Sequence, residues 1–319
     1  MRIFALIAAL ALVVAGLVQT PPASAADEQA SPAEANWQTC FAPESTPDQR
    51  VTACSAVIDG KAEAGPRLAG AFCSRGHGLT EQRKLDAALA DLDEAIRIDP
   101  AYPCAYNNRG RLYTIKREFD KAIADYDEAI RLEPSFALAY SNRGKARFGK
   151  GNFPGALTDF DTAIKLDPKL AIAYGNRGYV YYRMRDTAHA IADYTTQIEL
   201  KPDVPAYINR GNAYRSSDQL DRAAADFTEV IRLAPEDARG WRNRGLVRLY
   251  QGDNEGGIAD YDKALQYDPS DAFSWNNRGQ AKVRLGDKQG AIADFRKALE
   301  LQPDLGTARA ALSRLGVKP

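Results

Sequence analysis

The chain has 319 residues, and its 42 Lys and Arg residues balance 42 Asp and Glu residues to a formal net charge of +0. A balanced chain lacks the positive field expected of a nucleic-acid-binding protein, so we expect no nucleic-acid partner. With only two histidines, the sequence offers no Ser/His/Asp or Cys/His set for catalysis, and we expect no cofactor.

Residues 1–25 have the pattern of a cleavable secretory signal. Arg2 provides a positive start, residues 3–18 form an apolar run, and Ala23-Ser24-Ala25 is a small-residue cleavage site. The apolar run is short for a membrane span. We therefore expect cleavage after Ala25 and a periplasmic or secreted protein. A membrane would be a partner only if this segment were retained.

Two short segments separate this signal from the rest of the chain. Residues 26–36 are polar and rich in Ala and Pro, which predicts a disordered lead-in. Residues 37–68 contain one stretch with helical apolar spacing, residues 50–58, which follows the helix-start signal Pro47-Asp48. We interpret residues 37–68 as an N-terminal capping half-repeat.

From residue 69 onward, one tripeptide recurs at steps of 34 or 33 residues. A fixed period of this length indicates a stacked array, in which each unit buries its apolar face only against its neighbours. The seven copies are Ser74-Arg75-Gly76, Asn108-Arg109-Gly110, Asn142-Arg143-Gly144, Asn176-Arg177-Gly178, Asn209-Arg210-Gly211, Asn243-Arg244-Gly245 and Asn277-Arg278-Gly279.

Each period predicts two helices. In residues 103–136, Tyr106 and Tyr113 share one face of a first helix, and Ala122 and Tyr126 share one face of a second. Pro134 then ends the second helix, because proline lacks the N–H that the next turn would need. The pattern predicts a helical hairpin that is repeated seven times.

Every Arg of the tripeptide is followed by an Asp sixteen residues later. Our hypothesis is that each Arg reaches an Asp across the hairpin or in the adjoining repeat, since its planar guanidinium can hold a carboxylate with two hydrogen bonds. We expect this role to be structural rather than ligand-binding. The acids are Asp91, Asp125, Asp159, Asp193, Asp226, Asp260 and Asp294.

Residues 306–319 follow the last repeat. Residues 306–316 have amphipathic spacing, with Leu312 and Leu315 on the apolar side, and predict a C-terminal capping helix. No segment of domain size remains unassigned, so we expect a non-catalytic protein.

The seven units resemble the tetratricopeptide repeat. The large aromatic of its fourth position, the Gly of its eighth and the small residue of its twentieth are represented in the second unit by Tyr106, Gly110 and Ala122. The resemblance implies an all-α, right-handed superhelical solenoid of antiparallel helix pairs that binds other proteins. It covers residues 69–305, with units at 69–102, 103–136, 137–170, 171–203, 204–237, 238–271 and 272–305.

Four cysteines suit an oxidising compartment and allow three pairings. In the family register, Cys73 and Cys104 lie on the concave face of adjacent first helices, so the resemblance predicts a Cys73–Cys104 disulfide. We also predict a Cys40–Cys54 disulfide, which closes a loop in the N-terminal cap. His77 could join Cys73 and Cys104 around a metal ion, but a fourth ligand is missing and we expect no metal site.

In this family, fixed positions of the first helices line the concave groove. Here those positions carry cations and aromatic rings and no acid after Glu81, which suits an extended acidic or carboxylate-ended segment of another protein. An alternative is an acidic polysaccharide stacked on the tyrosines, and self-association through the terminal repeats is a third possibility. The predicted partner-binding residues are Asn107, Arg111, Lys145, Tyr179, Tyr182, Arg183, Asn212, Arg215, Arg239, Arg242, Tyr250, Asn276 and Arg284.

Overall fold

The computed structural model describes residues 31–318, and the predicted signal lies outside these residues. Between residues 31 and 318 the chain forms seventeen α-helices and no strand, which confirms the all-α solenoid of helix pairs. None of these helices has the length and apolar character needed to span a membrane. The helices are α1 Pro32–Phe41, α2 Pro47–Asp59, α3 Gly65–Glu81, α4 Leu85–Ile98, α5 Pro103–Ile115, α6 Phe119–Leu132, α7 Ala137–Gly149, α8 Phe153–Leu166, α9 Ala171–Arg183, α10 Thr187–Leu200, α11 Val204–Ser216, α12 Leu220–Leu233, α13 Ala238–Gln251, α14 Asn254–Tyr267, α15 Ala272–Arg284, α16 Lys288–Leu301 and α17 Gly306–Arg314.

The helices pack mainly on their neighbours in the chain, and α3 to α16 form seven hairpins. Odd-numbered helices also contact the next odd-numbered helix along most of the array, whereas the even-numbered helices are farther from one another. The odd-numbered helices therefore lie on the inner side of the curved array. We call the surface formed by α3, α5, α7, α9, α11, α13 and α15 the inner face.

The N-terminal end differs from the predicted lead-in and half-repeat. Helix α1 begins at Pro32, with Ser31 as its N-cap, so the prediction of disorder is wrong for residues 32–36. A Ser-Pro pair is a helix-start signal that the polar composition of the segment obscured. The cap is consequently a pair of helices, α1 and α2, rather than a single helix.

A disulfide joins these two helices, as predicted. Cys40 in α1 and Cys54 in α2 are fully buried and their Cα atoms are 4.8 Å apart. The guanidinium of Arg50 donates to the carbonyl oxygens of Cys40 and Ala42, and the Ser74 hydroxyl donates to Cys40 from α3. By closing a 14-residue separation, the disulfide stabilises the cap by about 3 kcal/mol.

At the other end, α17 covers the last hairpin. Leu312 is fully buried against Phe295, and Leu305 packs beside it. Leu315, predicted on the same apolar side, follows the helix and is partly buried. The apolar edge of the final hairpin is thus shielded by one helix.

A glycine brings the two helices of each hairpin close together. A Cβ atom on Gly144 of α7 would lie 2.9 Å from Cε1 of Phe160 and 3.1 Å from the carbonyl oxygen of Ala156, both in α8. Phe160 is almost fully buried and has no room to move away. The recurrent Gly of the tripeptide is therefore required by packing.

The predicted Arg–Asp pairing is confirmed in all seven units. Arg109 donates from Nε and Nη2 to both carboxylate oxygens of Asp125, at 2.9 and 2.7 Å, and from Nη1 to Asp93 of the preceding hairpin at 2.7 Å. Each arginine thus holds its own hairpin closed and fastens it to the unit before. The other two-pronged pairs are Arg75–Asp91, Arg143–Asp159, Arg177–Asp193, Arg210–Asp226, Arg244–Asp260 and Arg278–Asp294.

Burial makes these pairs costly as well as stabilising. It raises the pKa of the Asp125 carboxyl even though Arg109 donates two hydrogen bonds to it, and the pKa of Asp226 is raised for the same reason. Desolvation of these carboxylates therefore outweighs the attraction of the arginine. The hydrogen bond to Asp125 in turn raises the pKa of Arg109, so the pair favours the charged arginine, and the role that the structure shows for the pairs is to define the geometry of the array.

Replacing Gly144 with Ala should lower the free energy of unfolding by about 1–3 kcal/mol, because the added methyl overpacks the contact with Phe160. Urea unfolding followed by circular dichroism measures the change. Gly306→Ala is the matched control, since a Cβ there meets nothing within 4 Å. Equal stability of the two variants would contradict the packing argument.

The Arg177→Met variant should lose about 3 kcal/mol, because it leaves the buried Asp193 carboxylate without its partner. The double variant Arg177→Met/Asp193→Leu should recover part of that loss, since no buried charge remains. The same unfolding measurement compares them, with the exposed Arg185→Met as control. A double variant no more stable than the single one would show that the charge imbalance is unimportant.

Candidate functional site

Two of the predicted partner-binding residues are buried between helices. Asn107 and Asn276 are each 3% exposed. The Nδ2 atom of Asn142 donates to Oδ1 of Asn107 at 2.9 Å, and Asn276 donates to Asn277 at 3.0 Å. Their placement on the open groove is therefore wrong, because this helix position faces the neighbouring odd-numbered helix and not the solvent.

Three predicted cations toward the ends of the inner face have acidic partners. Arg111 contacts Glu81 at 3.3 Å, Arg239 contacts Asp237 at 2.6 Å, and Arg242 contacts Asp271 at 3.5 Å. The hydrogen bond from Arg239 holds the pKa of Asp237 below its usual range. These three arginines are already neutralised by their own chain.

Helix caps supply two of these acids. Asp237 is the N-cap of α13 and accepts from the backbone N–H of Arg239, and Asp271 is the N-cap of α15 and accepts from Phe273. Cap residues precede the helix, so a list of helix positions on the groove omits them. The sequence did contain a signal for the first of these ion pairs, because Asp237 stands two residues before Arg239.

The middle of the inner face is different, because its three predicted partner-binding cations have no acidic partner among residues 31–318. Lys145 of α7 is exposed and makes no ion pair, and Arg215 of α11 contacts only Asn212, at 3.5 Å. The guanidinium carbon of Arg183 lies 5.9 Å from the ring centre of Phe148 and 6.0 Å from that of Tyr179. We call Lys145, Phe148, Tyr179, Arg183 and Arg215 the central basic cluster.

Aromatic packing gives this cluster a defined shape. The rings of Phe148 and Tyr179 meet edge to face at 5.4 Å, and Phe148 also stacks on Phe153 at 5.2 Å. Beneath them lies a cavity of about 120 Å³ lined by Lys145, Phe160 and Tyr179, among others. Rings held in this way offer a cation–π environment for Arg183 while its charge stays available to a ligand.

An open depression of about 540 Å³ adjoins the cluster. Tyr182 and Ser216 join α9 to α11 across it through their hydroxyls, which are 3.1 Å apart, and Arg183 and Arg185 lie at its rim. Arg185 was absent from the sequence prediction. It follows α9 with a φ of 66°, outside the helical period, so the periodic pattern gave no signal for it.

The remaining predicted residues lie toward the C-terminal end of the inner face. Tyr250 is 58% exposed on α13. Arg284 of α15 donates from Nη1 to the carbonyl oxygen of Leu249 at 2.7 Å and approaches Asn254 at 3.4 Å. This arginine therefore fastens α15 to the previous unit while its charge remains without a carboxylate.

Cys73 and Cys104 are free thiols, so the predicted disulfide between them is wrong. The register did bring the two residues together, because Cys104 packs against the buried cluster that contains Cys73, and Cys73 accepts from Asn108 at 3.2 Å. Contact between two cysteines is not enough for a disulfide, since the bond requires a narrow range of side-chain geometry.

The surroundings of the thiol pair differ for its two members. The hydrogen bond from Cys73 lowers the pKa of Cys104, whereas that bond and burial raise the pKa of Cys73. His77 is directed to Arg111 and Glu81 instead, and burial together with Arg111 lowers its pKa. In the described part of the chain no three His, Cys, Asp or Glu side chains are grouped to hold a metal ion.

Comparison with known proteins identifies the class of this array. Models of the tetratricopeptide repeat match residues 76–114, 110–151 and 144–184, and further models match 171–204, 208–272 and 251–316. The chain belongs to the tetratricopeptide repeat family. Proteins of this family bind other proteins or peptides and are generally non-catalytic, so the chain is an interaction scaffold. No curated protein sequence matches the chain.

Solved structures share the fold at low sequence identity. The TPR protein YrrB, described as having an unusual peptide-binding site, is 20% identical with a TM-score of 0.52, over 59% of this chain and 97% of that one. A tetratricopeptide repeat protein from Parabacteroides merdae is 21% identical with a TM-score of 0.54, over 78% and 98%. The Cut9–Hcn1 structure is 15% identical with a TM-score of 0.63, over 89% and 54%.

Cys104 should react with iodoacetamide at a lower pH than an ordinary thiol, because the hydrogen bond from Cys73 favours its thiolate. Cys73→Ala should raise the apparent pKa of this reaction, and Cys73→Ser, which keeps a donor, should largely restore it. Mass spectrometry of the alkylated peptide at several pH values measures the three profiles. Identical profiles would exclude the hydrogen bond as the cause.

Proposed function

We propose that the protein is a non-catalytic scaffold that holds an extended acidic segment of a partner polypeptide on its inner face. The observation that carries the proposal is the distribution of free charge. Arg111, Arg239 and Arg242, toward the two ends, each have a carboxylate partner, whereas Lys145, Arg183 and Arg215 in the middle have none among the described residues.

Free cations favour an acidic ligand for a simple energetic reason. A carboxylate that binds Arg239 must displace Asp237, but one that binds Arg183 displaces only water and a weak contact with the Tyr179 hydroxyl at 3.5 Å. Three unopposed charges on three successive inner helices also steer an acidic chain along the face. Phe148 and the 40% exposed Tyr179 add apolar contact between the charges.

The proposed location is the periplasm or the medium. Residues 1–25 support it through their signal-like pattern, and the buried Cys40–Cys54 disulfide supports it because such bonds persist in oxidising compartments.

An acidic polysaccharide is the second candidate, favoured by the exposure of the tyrosines. The rings of Tyr179 and Tyr250 are 40% and 58% exposed and could stack on sugars, while the same cations would hold uronic acids. The peptide proposal is preferred because the three central cations are carried by the successive inner helices α7, α9 and α11, and an extended chain can follow such a series.

Charge reversal in the central basic cluster tests the proposal. Arg183→Glu/Arg215→Glu should weaken binding of a fluorescein-labelled deca-glutamate peptide by more than about tenfold in fluorescence anisotropy. The control Arg131→Glu/Arg232→Glu makes the same net charge change on exposed positions of α6 and α12, and should leave binding nearly unchanged.

Polygalacturonate serves as the competing ligand in the same assay. Equal weakening by the test and control variants would mean that net charge alone drives binding and would contradict the proposed site. Binding of polygalacturonate but not of the peptide, lost in Tyr179→Ala, would replace the peptide proposal with the polysaccharide one.

A further inference from the structure

A cleft of about 490 Å³ opens at the C-terminal end of the inner face, between α15 and α17. Apolar side chains form its floor, among them Val283, Phe295 and Leu315, while Arg284 and Arg314 lie at its rim. Its volume lies in the range of pockets that take small ligands or single side chains. The central basic cluster is formed by α7, α9 and α11, so this cleft is a separate feature.

The cleft is open because the repeat pattern changes in α17. Ala310 and Ala311 lie 34 residues after Asn276 and Asn277 of α15. At the second of these positions the earlier inner helices carry Asn or, in α3, Ser, and Asn142 uses its side chain to donate to Asn107 across the space between α5 and α7. Two alanines cannot fill this space or make that bond, so an apolar gap remains.

The charge around the gap has one sign. None of the residues that line it is acidic. The side chain of Arg314 makes no hydrogen bond or ion pair within residues 31–318, and Arg284 uses Nη1 for the carbonyl oxygen of Leu249, which leaves its other nitrogens available. Leu285, which follows Arg284 in the chain and is 48% exposed, adds apolar surface outside the cleft lining.

We propose that this cleft binds the carboxyl-terminal residue of a partner polypeptide, with a large apolar side chain in the gap and the terminal carboxylate between Arg284 and Arg314. A chain end is the ligand that places an apolar side chain and a carboxylate on one residue. An internal Asp or Glu carries its charge on the side chain that would have to enter the apolar floor, which is unfavourable without a partner. The proposal rests on the proposed function only in requiring a polypeptide partner on the inner face.

Short labelled peptides test the cleft directly with the full chain. The probe is a fluorescein-labelled Gly-Ser-Gly-Ser-Phe peptide with a free carboxylate, compared with its carboxamide and with a Ser-ended version. We expect both altered peptides to bind more than about tenfold more weakly in fluorescence anisotropy, because each lacks one half of the recognised residue.

Variants of the cleft provide the second half of the test. Ala310→Trp, at an exposed position, should fill the gap and abolish binding, while Arg314→Gln should weaken the free acid to the level of the carboxamide. Arg296→Gln removes the same charge from an exposed site on α16 that does not line the cleft, and should change nothing. Arg183→Glu/Arg215→Glu should also leave this peptide bound. The proposal for the cleft and the proposal for the central basic cluster can therefore be contradicted independently.

Three results would overturn the proposal. They are equal binding of acid and carboxamide, no binding of the Phe-ended acid at about 1 mM, and an Arg314→Gln variant that binds like the unmodified protein. A concentration-dependent mass in analytical ultracentrifugation that Ala310→Trp abolishes would assign the cleft to a second copy of the chain instead.

Discussion

The two-pronged bond between the tripeptide arginine and its buried aspartate is the interaction on which the array depends. It recurs in all seven hairpins with N–O distances between 2.7 and 3.1 Å. Because both groups are planar and Nε and Nη2 are the donors in all seven units, the bond sets the register of the second helix against the first. The third nitrogen then fastens each hairpin to the one before, through Asp127 for Arg143 and through Thr195 for Arg210. One residue type thereby fixes both the hairpin and the step between hairpins.

The Arg–Asp pairing distinguishes the charged residues that hold the array together from those that are free to bind a ligand. The arginines of the tripeptide are largely buried and paired with aspartates, so they contribute little to the electric field that a ligand would meet. The binding surfaces proposed above lie instead where the units depart from one another. Lys145, Arg183 and Arg215 have no ion-pair partner among the described residues, and Ala310 and Ala311 stand where the inner helix α15 has Asn276 and Asn277. An array of near-identical units acquires specificity through such differences, since the shared positions are already used for packing.

The terminal hairpins need extra helices to cover an apolar edge that an interior hairpin buries on its neighbours. An interior hairpin buries its apolar faces on two neighbours, but the first and last hairpins have only one each. At the N-terminus the α1–α2 pair is tied by the Cys40–Cys54 disulfide and joined to α3 by Arg50 and Ser74. At the C-terminus α17 buries Leu312 on Phe295 yet leaves the adjoining cleft open. The first end is tied by a disulfide, whereas the second has an open cleft between α15 and α17.

Sequence alone determined the features that repeat within one hairpin: the helix pairs, the recurrent glycine represented by Gly144 and the pairing of Arg109 with Asp125. These contacts join residues at a constant separation, so the period reveals them. Only the tertiary structure decided that Asp271 neutralises Arg242, that Asn107 is buried, and that Cys73 and Cys104 remain thiols. Each of these outcomes depends on where a cap residue or a neighbouring inner helix lies after the units have stacked. The angle and distance between stacked units come from packing over many side chains, and no single spacing in the sequence encodes them.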